Sequence, residues 1–397
     1  MRFLRTAPTT RLLVAIAAVV MGAATVTAIA IAAAGGGPVP PRTTLADALH
    51  RALHAPAVAG VSARVTFTNN LIGSAVLQGV DPLLSGASGR LWAADGRVRI
   101  ELQGDNGDAQ IMLGPGSFWA YDPVSNTVFQ GSLPAPHSTG SHTGRSAATP
   151  TVARIQSYLT RLAGRLSFSS ATPTDFGGQP AYSVRITPVG DSGLLAGVRL
   201  GWDAAHGVPL DFAVYAKGVS GPVLELRMTD ISYGPLARSD YAISPPSGAT
   251  VVRVGTASAT ASAPTPAGAE ITGPAAVASH LRFQLDAPSS LASMSRTKVS
   301  LIGSGGSSGA LVRYGHGLGG IVVIERATGA GAGGGGAGAI GALMGNMLLP
   351  TAQVNGATAT ELPTALGTVL MFTRNGVDYT LAGSVVPSVA IAAARGL

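Results

Sequence analysis

The chain has 397 residues and no cysteine. That excludes disulfides, thiolate metal sites and a cysteine nucleophile. It also excludes a lipobox, so the chain is not itself a lipoprotein. Lysine is nearly missing, with only Lys217 and Lys298. Arginine dominates instead, and alanine and glycine are abundant, which suggests a GC-rich genome such as an actinobacterium's. The formal net charge is +7, part of it on Arg2, Arg5 and Arg11. The other arginines are scattered among acids rather than clustered on one face, so a nucleic-acid partner is not expected. Basic side chains beside an anionic membrane surface are the more natural reading. No pair of carboxylates stands out and no catalytic constellation is found. An enzyme is therefore not expected, and neither is a metal or another cofactor.

Several motif matches dissolve on their context. Gly305-Gly306-Ser307-Ser308-Gly309 has nucleophile-elbow spacing, but an elbow needs a strand before it and a helix after it. Both flanks here are strand-like. Gly315-His316-Gly317-Leu318-Gly319-Gly320 matches G-x-G-x-x-G, yet strand-like residues follow where a dinucleotide site needs a helix. His50 and His54 stand at i, i+4, but Arg51 occupies the position where a zinc protease has Glu. His137 and His142 lie in a run with no carboxylate nearby.

One long apolar run is present, from Leu12 to Ala34, with no charged residue in 23 positions. A secretory h-region is ~7–15 residues, and a membrane span needs ~20. A retained anchor in the cytoplasmic membrane is expected, with the basic flank inside and the rest exported. Cleavage after Ala32-Ala33-Ala34 and secretion is the alternative.

The exported part is too long for one typical domain. Ala257 to Ala269 (ASATASAPTPAGA) is small, polar and Pro-containing, which reads as a tether. The expected division is 1–40 as anchor or signal, 41–255 as the first domain, 256–269 as linker and 270–397 as a β-rich C-terminal domain.

In the first domain, Gly86 to Phe129 alternates apolar and polar residues and breaks at Asp95-Gly96, Asn106-Gly107 and Gly114-Pro115-Gly116. That is the signature of antiparallel strands joined by tight turns. Further strands are expected at 60–67, 74–78, 181–188, 194–203, 209–216 and 223–233. A capping-box pattern at Thr44 opens a first helix. A second helix is expected over about 150–163, with Val152, Ile155, Leu159 and Leu162 on one apolar stripe. Pro136–Ala148 before it reads as a mobile loop. The C-terminal domain reads as strands at 281–291, 296–302, 309–315 and 320–326, then hairpins at Asn355-Gly356 and Asn375-Gly376, and a closing helix over 388–395. The Gly-rich stretch 329–345 is expected as a disordered loop, with a membrane-touching or partner-binding loop as the alternative.

The motifs G-x-L-W…R-x-R-I-E and F-W-A-Y-D-P…N-T-V in the first half resemble LolA-type lipoprotein carriers and their RseB/MucB-type relatives. G-G-Q-P-A-Y-S-V-R-I-T-P (177–188), L-G-W-D-A-A-H-G-V-P-L (200–210), L-E-L-R-M-T-D-I-S-Y-G (224–234) and S-P-P-S-G-A (244–249) follow in the order such carriers show. The resemblance covers about residues 43–250. It implies a mainly β fold with a few helices: a half-open antiparallel β-barrel with a helical lid, here followed by a second, smaller β-rich domain. It also implies an extracytoplasmic protein that holds an apolar ligand, either a lipid or the acyl chains of a lipoprotein, without chemistry. The alternative is an envelope-stress sensor acting on a membrane partner such as an anti-sigma factor. Candidate cavity and lid residues are Trp92, Trp119, Tyr121, Val152, Ile155, Leu159 and Leu162. For the aromatic residues, with Phe118, sheet packing is the competing reading. In LolA-type carriers an arginine on the strand after the L-W strand bonds to the lid; the matching positions here are Arg97 or Arg99.

Overall fold

The computed structural model describes residues 39–73, 82–105, 107–133, 151–190, 193–253, 271–303, 305, 308–329 and 349–397. The expected anchor (1–38 of it), the strand at 74–78, the loop 136–148, the linker 256–269 and nearly all of the Gly-rich stretch lie outside the described residues. Among the described residues no helix is long and apolar enough to cross a membrane.

The first part opens with α1 (Leu45–His54), β1 (Val61–Asn69), the single turn α2 (Pro82–Ser85), β2 (Gly86–Ala94), β3 (Arg97–Leu102), β4 (Ala109–Gly114), β5 (Ser117–Asp122) and β6 (Thr127–Ser132). It continues with α3 (Val152–Leu162), β7 (Leu166–Phe168), β8 (Thr172–Phe176), β9 (Gln179–Pro188), β10 (Leu195–Asp203), β11 (Pro209–Ala216), β12 (Leu224–Tyr233), α4 (Arg238–Tyr241) and β13 (Thr250–Arg253). These strands form one sheet in the order β13-β6-β5-β4-β3-β2-β1-β12-β11-β10-β9-β7, with β8 also on β9. All pairs are antiparallel except β13 on β6. The result is the expected half-open barrel, mainly β with a few helices.

The second part holds α5 (Pro274–Ala278), β14 (Ser290–Leu291), β15 (Met294–Ile302), β16 (Gly309–Tyr314), β17 (Ile321–Ala327), β18 (Thr351–Val354), β19 (Ala357–Thr364), β20 (Gly367–Arg374), β21 (Val377–Gly383) and α6 (Pro387–Arg395). Its eight strands run β14-β15-β16-β17-β21-β20-β19-β18.

Local chemistry accounts for the hairpins. Asp95-Gly96, Asn355-Gly356 and Asn375-Gly376 all have positive φ at both positions. That is the type I′ turn, whose twist matches the flanking strands. Thr44 caps α1, its hydroxyl oxygen accepting the Asp47 N–H at 3.1 Å, and Thr151 caps α3 in the same way. Each such cap is worth ~1 kcal/mol. Leu281 to Leu291 is not a strand for most of its length: only Ser290–Leu291 pairs. Leu281, Phe283 and Leu285 pack instead on the core of the second part.

The second sheet is apolar on both faces. One face, with Val323, Leu370 and Leu381, is closed by Val277 of α5 and Ala390, Ala393 and Ala394 of α6. The other face turns Leu362, Val369 and Met371 towards Ile72 and Leu84 of the first part. The β19–β20 turn, Ala365-Leu366, packs on Val198, Val214 and Val223 of the large sheet. Backbone contacts fix this union: the Ala365 N–H donates to the Leu71 carbonyl at 2.7 Å. The Leu194 N–H donates to Ser384 Oγ at 2.9 Å.

Candidate functional site

The large sheet is built in rows. Residues opposite one another on neighbouring strands share a face, and successive residues alternate between faces. Phe67, Leu226, Phe212, Leu200 and Val184 form one unbroken row over β1, β12, β11, β10 and β9. Leu224, Val214, Val198 and Ile186 form the next row on the same face. The same face continues over β1–β6 through Ala63, Leu91, Ile100, Ile111, Ala120 and Phe129.

The intervening rows are polar. Thr66, Arg227, Asp211 and Gly201 oppose one another, as do Thr68, Glu225, Ala213, Arg199 and Arg185. Asp211 is buried. Its carboxylate takes Arg199 Nε at 2.7 Å and Arg227 Nε at 3.1 Å. Arg199 also reaches Glu225 at 2.5 Å and the Tyr215 hydroxyl at 2.5 Å. This charged lattice ties β10, β11 and β12 together on the polar face and leaves the other face to apolar side chains.

Three elements approach the apolar face. From α1, Leu45, Ala48, Leu49 and Ala52 pack on Tyr182, Val184, Leu200 and Trp202. From α2, Leu83 joins Val65, Leu91 and Phe67. From the second part, Ala365 and Leu366 reach Leu200, Phe212 and Leu224. Between these covers Phe67, Leu226 and Phe212 stay only half-buried. The arrangement offers apolar surface. Among the described residues no cluster of three or more His, Asp or Glu could hold a metal ion.

The sequence-derived candidates fall into two separate sets. Trp92 lies opposite Arg99, Arg99 opposite Met112, and Met112 opposite Trp119. Tyr121 and Arg97 belong to the same face by alternation, which is the face away from Leu91 and Ile100. The Arg99 guanidinium stacks 4.8 Å from the Trp92 ring centroid. It donates to Glu101 Oε2 at 2.6 Å and to the Asp240 carbonyl at 3.2 Å.

Asp240 sits in the chain that crosses this face from β12 to β13. The Tyr241 hydroxyl in the same crossing donates to Asp95 Oδ2 at 2.6 Å. That hydrogen bond, with burial and the Asp95 charge, holds the phenol above its ordinary pKa. At the far end Asn126 Nδ2 donates to the Gly248 carbonyl at 3.3 Å, and the Tyr121 hydroxyl donates to Asn126. These candidates therefore hold a strap down on the sheet. Of the two arginines, Arg99 has the anchoring role, towards the strap rather than a helical lid.

Val152, Ile155, Leu159 and Leu162 stand on α3, which packs on α1 and β7. Ile155 is buried, Val152 and Leu159 are half-buried, and Leu162 is exposed. The helix that covers the sheet is thus α1, and α3, which carries the expected lid residues, packs beside it. The His50 and His54 rings on α1 are tilted against each other with centroids 3.9 Å apart, and the G-x-G-x-x-G run forms the β16–β17 connection.

No family model matches the chain, and no curated protein matches it in sequence. Solved structures similar to it include MucB in complex with MucA(peri). That match has 15% identity over 88% of this chain and 97% of the other, with a TM-score of 0.40. The Pseudomonas aeruginosa MucA/MucB complex matches at 16% identity over 88% and 96%, with a TM-score of 0.39. A lipoprotein-sorting domain of the outer membrane from Vibrio parahaemolyticus matches at 13% identity over 50% and 95%, with a TM-score of 0.19. These are the two kinds of protein that the sequence motifs resemble. At these identities and scores the likeness carries no argument about activity, and the functional reading rests on the geometry.

Proposed function

We infer that the chain is an extracytoplasmic binding protein, held at the cytoplasmic membrane by its N-terminal segment, that keeps an apolar ligand on the apolar face of its large sheet. The ligand class is a lipid or the acyl chains of a lipoprotein. The observation that carries this reading is the row Phe67–Leu226–Phe212–Leu200, half-buried at its centre beneath α1, α2 and the Ala365-Leu366 turn. Small-molecule sites are lined mostly by such apolar side chains. No proton transfer or nucleophile is assigned: the protein holds its ligand without changing it.

The test is saturable uptake of a fluorescent fatty acid by the full chain. Leu226→Gln should abolish uptake, because it sets an amide without a partner in the middle of the row. Trp119→Ala, on the strap face, should leave uptake unchanged. Equal loss from both variants, or no saturable binding by the native chain, contradicts the assignment. In that outcome the regulatory alternative, action on a membrane partner such as an anti-sigma factor, takes its place.

A further inference from the structure

The sequence from Asp122 to Asp175 contains no carboxylate between those two residues, yet it carries Arg145, Arg154, Arg161 and Arg165. The helix α3 lies within it. Its inner stripe, Val152, Ile155 and Leu159, faces its packing partners. Its outer stripe runs through Arg154, Tyr158, Arg161 and Leu162, at the i, i+4, i+7, i+8 spacing of one helix face, and Arg165 follows in the exposed turn before β7. Tyr158 is 43% exposed and Leu162 40% exposed, and Leu53 on the adjoining α1 is 42% exposed. Arg154 Nε donates to the Tyr158 hydroxyl at 3.3 Å, and the Arg161 guanidinium lies 4.5 Å from the Tyr158 ring centroid. The hydrogen bond and charge of Arg154, with Arg161, lower the phenol's pKa. The stripe and Leu53 thus combine an aromatic ring, two leucines and several cations without an acid.

A second observation places this stripe. The Tyr182 hydroxyl donates to the Pro41 carbonyl at 2.7 Å, which fixes where the chain leaves the fold. Tyr182 packs with α1, and α3 packs on α1 and β7, so Pro41 and α3 lie at the same end of the molecule. The apolar run ends at Ala34. Seven extended residues reach at most ~25 Å.

We propose that the outer face of α3, with Leu53 of α1, docks on an anionic phospholipid surface. The arginines meet the phosphates, and Tyr158, Leu162 and Leu53 sit at the boundary between headgroups and acyl chains. Basic side chains beside an anionic surface each contribute ~1 kcal/mol, and amphipathic helices with aromatic and leucine residues lie in that interface. The proposal rests on the membrane placement given above but not on the apolar ligand.

The native chain lacks cysteine, so one engineered thiol reports one place. Leu162→Cys is labelled with the environment-sensitive fluorophore nitrobenzoxadiazole in the full chain. The labelled chain is mixed with vesicles of phosphatidylcholine, or of equal parts phosphatidylcholine and phosphatidylglycerol, and vesicle flotation is recorded in parallel. The label should move into an apolar environment only with phosphatidylglycerol and lose that signal in high salt. A label at Val386→Cys, exposed on the second part, should not respond. Joint replacement of Arg154, Arg161 and Arg165 by Gln should weaken the transfer on the order of 100-fold, while the corresponding Lys variant should retain it. A silent label on vesicles that do float, an equal response to phosphatidylcholine alone, or an unchanged response in the Gln variant overturns the proposal. The first of these outcomes leaves the N-terminal anchor standing.

Discussion

Glu325 gives the second sheet a stability that falls as pH rises. It stands on β17 with no exposed surface. It lies opposite Tyr379 of β21 on one side and Ala310 of β16 on the other. Its Oε2 accepts the Asp286 N–H at 2.9 Å, while its Oε1 is buried without a hydrogen-bond partner. Burial pushes the carboxyl from an ordinary value of 4.5 to about 8. The nearby Asp286 charge adds to the rise; the Asp286 N–H and Arg374 oppose it.

The folded pKa is above the unfolded one, so folding favours the protonated acid. The contribution is complete below about pH 4.5 and is lost as pH rises towards about 8. In that window each pH unit removes ~1.4 kcal/mol, or roughly 4–5 kcal/mol in all. The assay is calorimetry of the full chain between pH 5 and pH 8.5, native against Glu325→Gln. The native transition belonging to the second sheet should descend steeply relative to the variant's, which has no charge to bury. Parallel curves would refute the reasoning, because any fixed effect of the amide shifts the whole curve and not its slope.

Limited proteolysis should cut first within 257–269 and release two resistant fragments, since exposed small-residue linkers are where proteases act; an uncut window argues against the division. Arg99→Ala should free the strap, with faster hydrogen exchange over 234–249 and a stability loss of ~1–2 kcal/mol from the stacked Trp92 and the Asp240 carbonyl. Unchanged exchange there would assign Arg99 no anchoring role. Leu366→Asp should set a carboxylate against Val198 and Val214, costing several kcal/mol where it stays docked. Small-angle scattering should then show the two parts moving apart with their strands intact.

Much of the β architecture was legible because turn chemistry is local. Asp-Gly and Asn-Gly pairs mark type I′ turns whatever surrounds them, and Pro209–Ala216 was bounded correctly by its alternation. The short strands Leu166–Phe168 and Thr172–Phe176 left no such mark, because Ser, Thr and Pro fill them and their pairing depends on β9. The segment 281–291 departs from its strand pattern for a related reason. Alternating Leu281, Phe283 and Leu285 predict a half-buried chain, and that is what forms, but apolar alternation does not supply a strand partner.

The candidate site was half legible. The sequence singles out Trp92, Trp119 and Tyr121 as large side chains on two strands, β2 and β5. It does not say which face the chain crosses between β12 and β13. That long-range path decides which face is strapped. A usable signal was present in β10–β12: Arg199, Asp211, Glu225 and Arg227 mark their polar face, and the residues between them mark the open one. The apolar stripe on α3 is legible from its helical spacing, which says nothing of what the outward Arg154 and Arg161 do.

The central claim, an apolar ligand on the Phe67–Leu226–Phe212 face, is tested most directly by native mass spectrometry of the full chain released gently from membranes. A lipid or acylated species should copurify with the native protein and be missing from the Leu226→Gln variant. A native protein that carries no bound mass, prepared so that a known lipid carrier keeps its cargo, would contradict it.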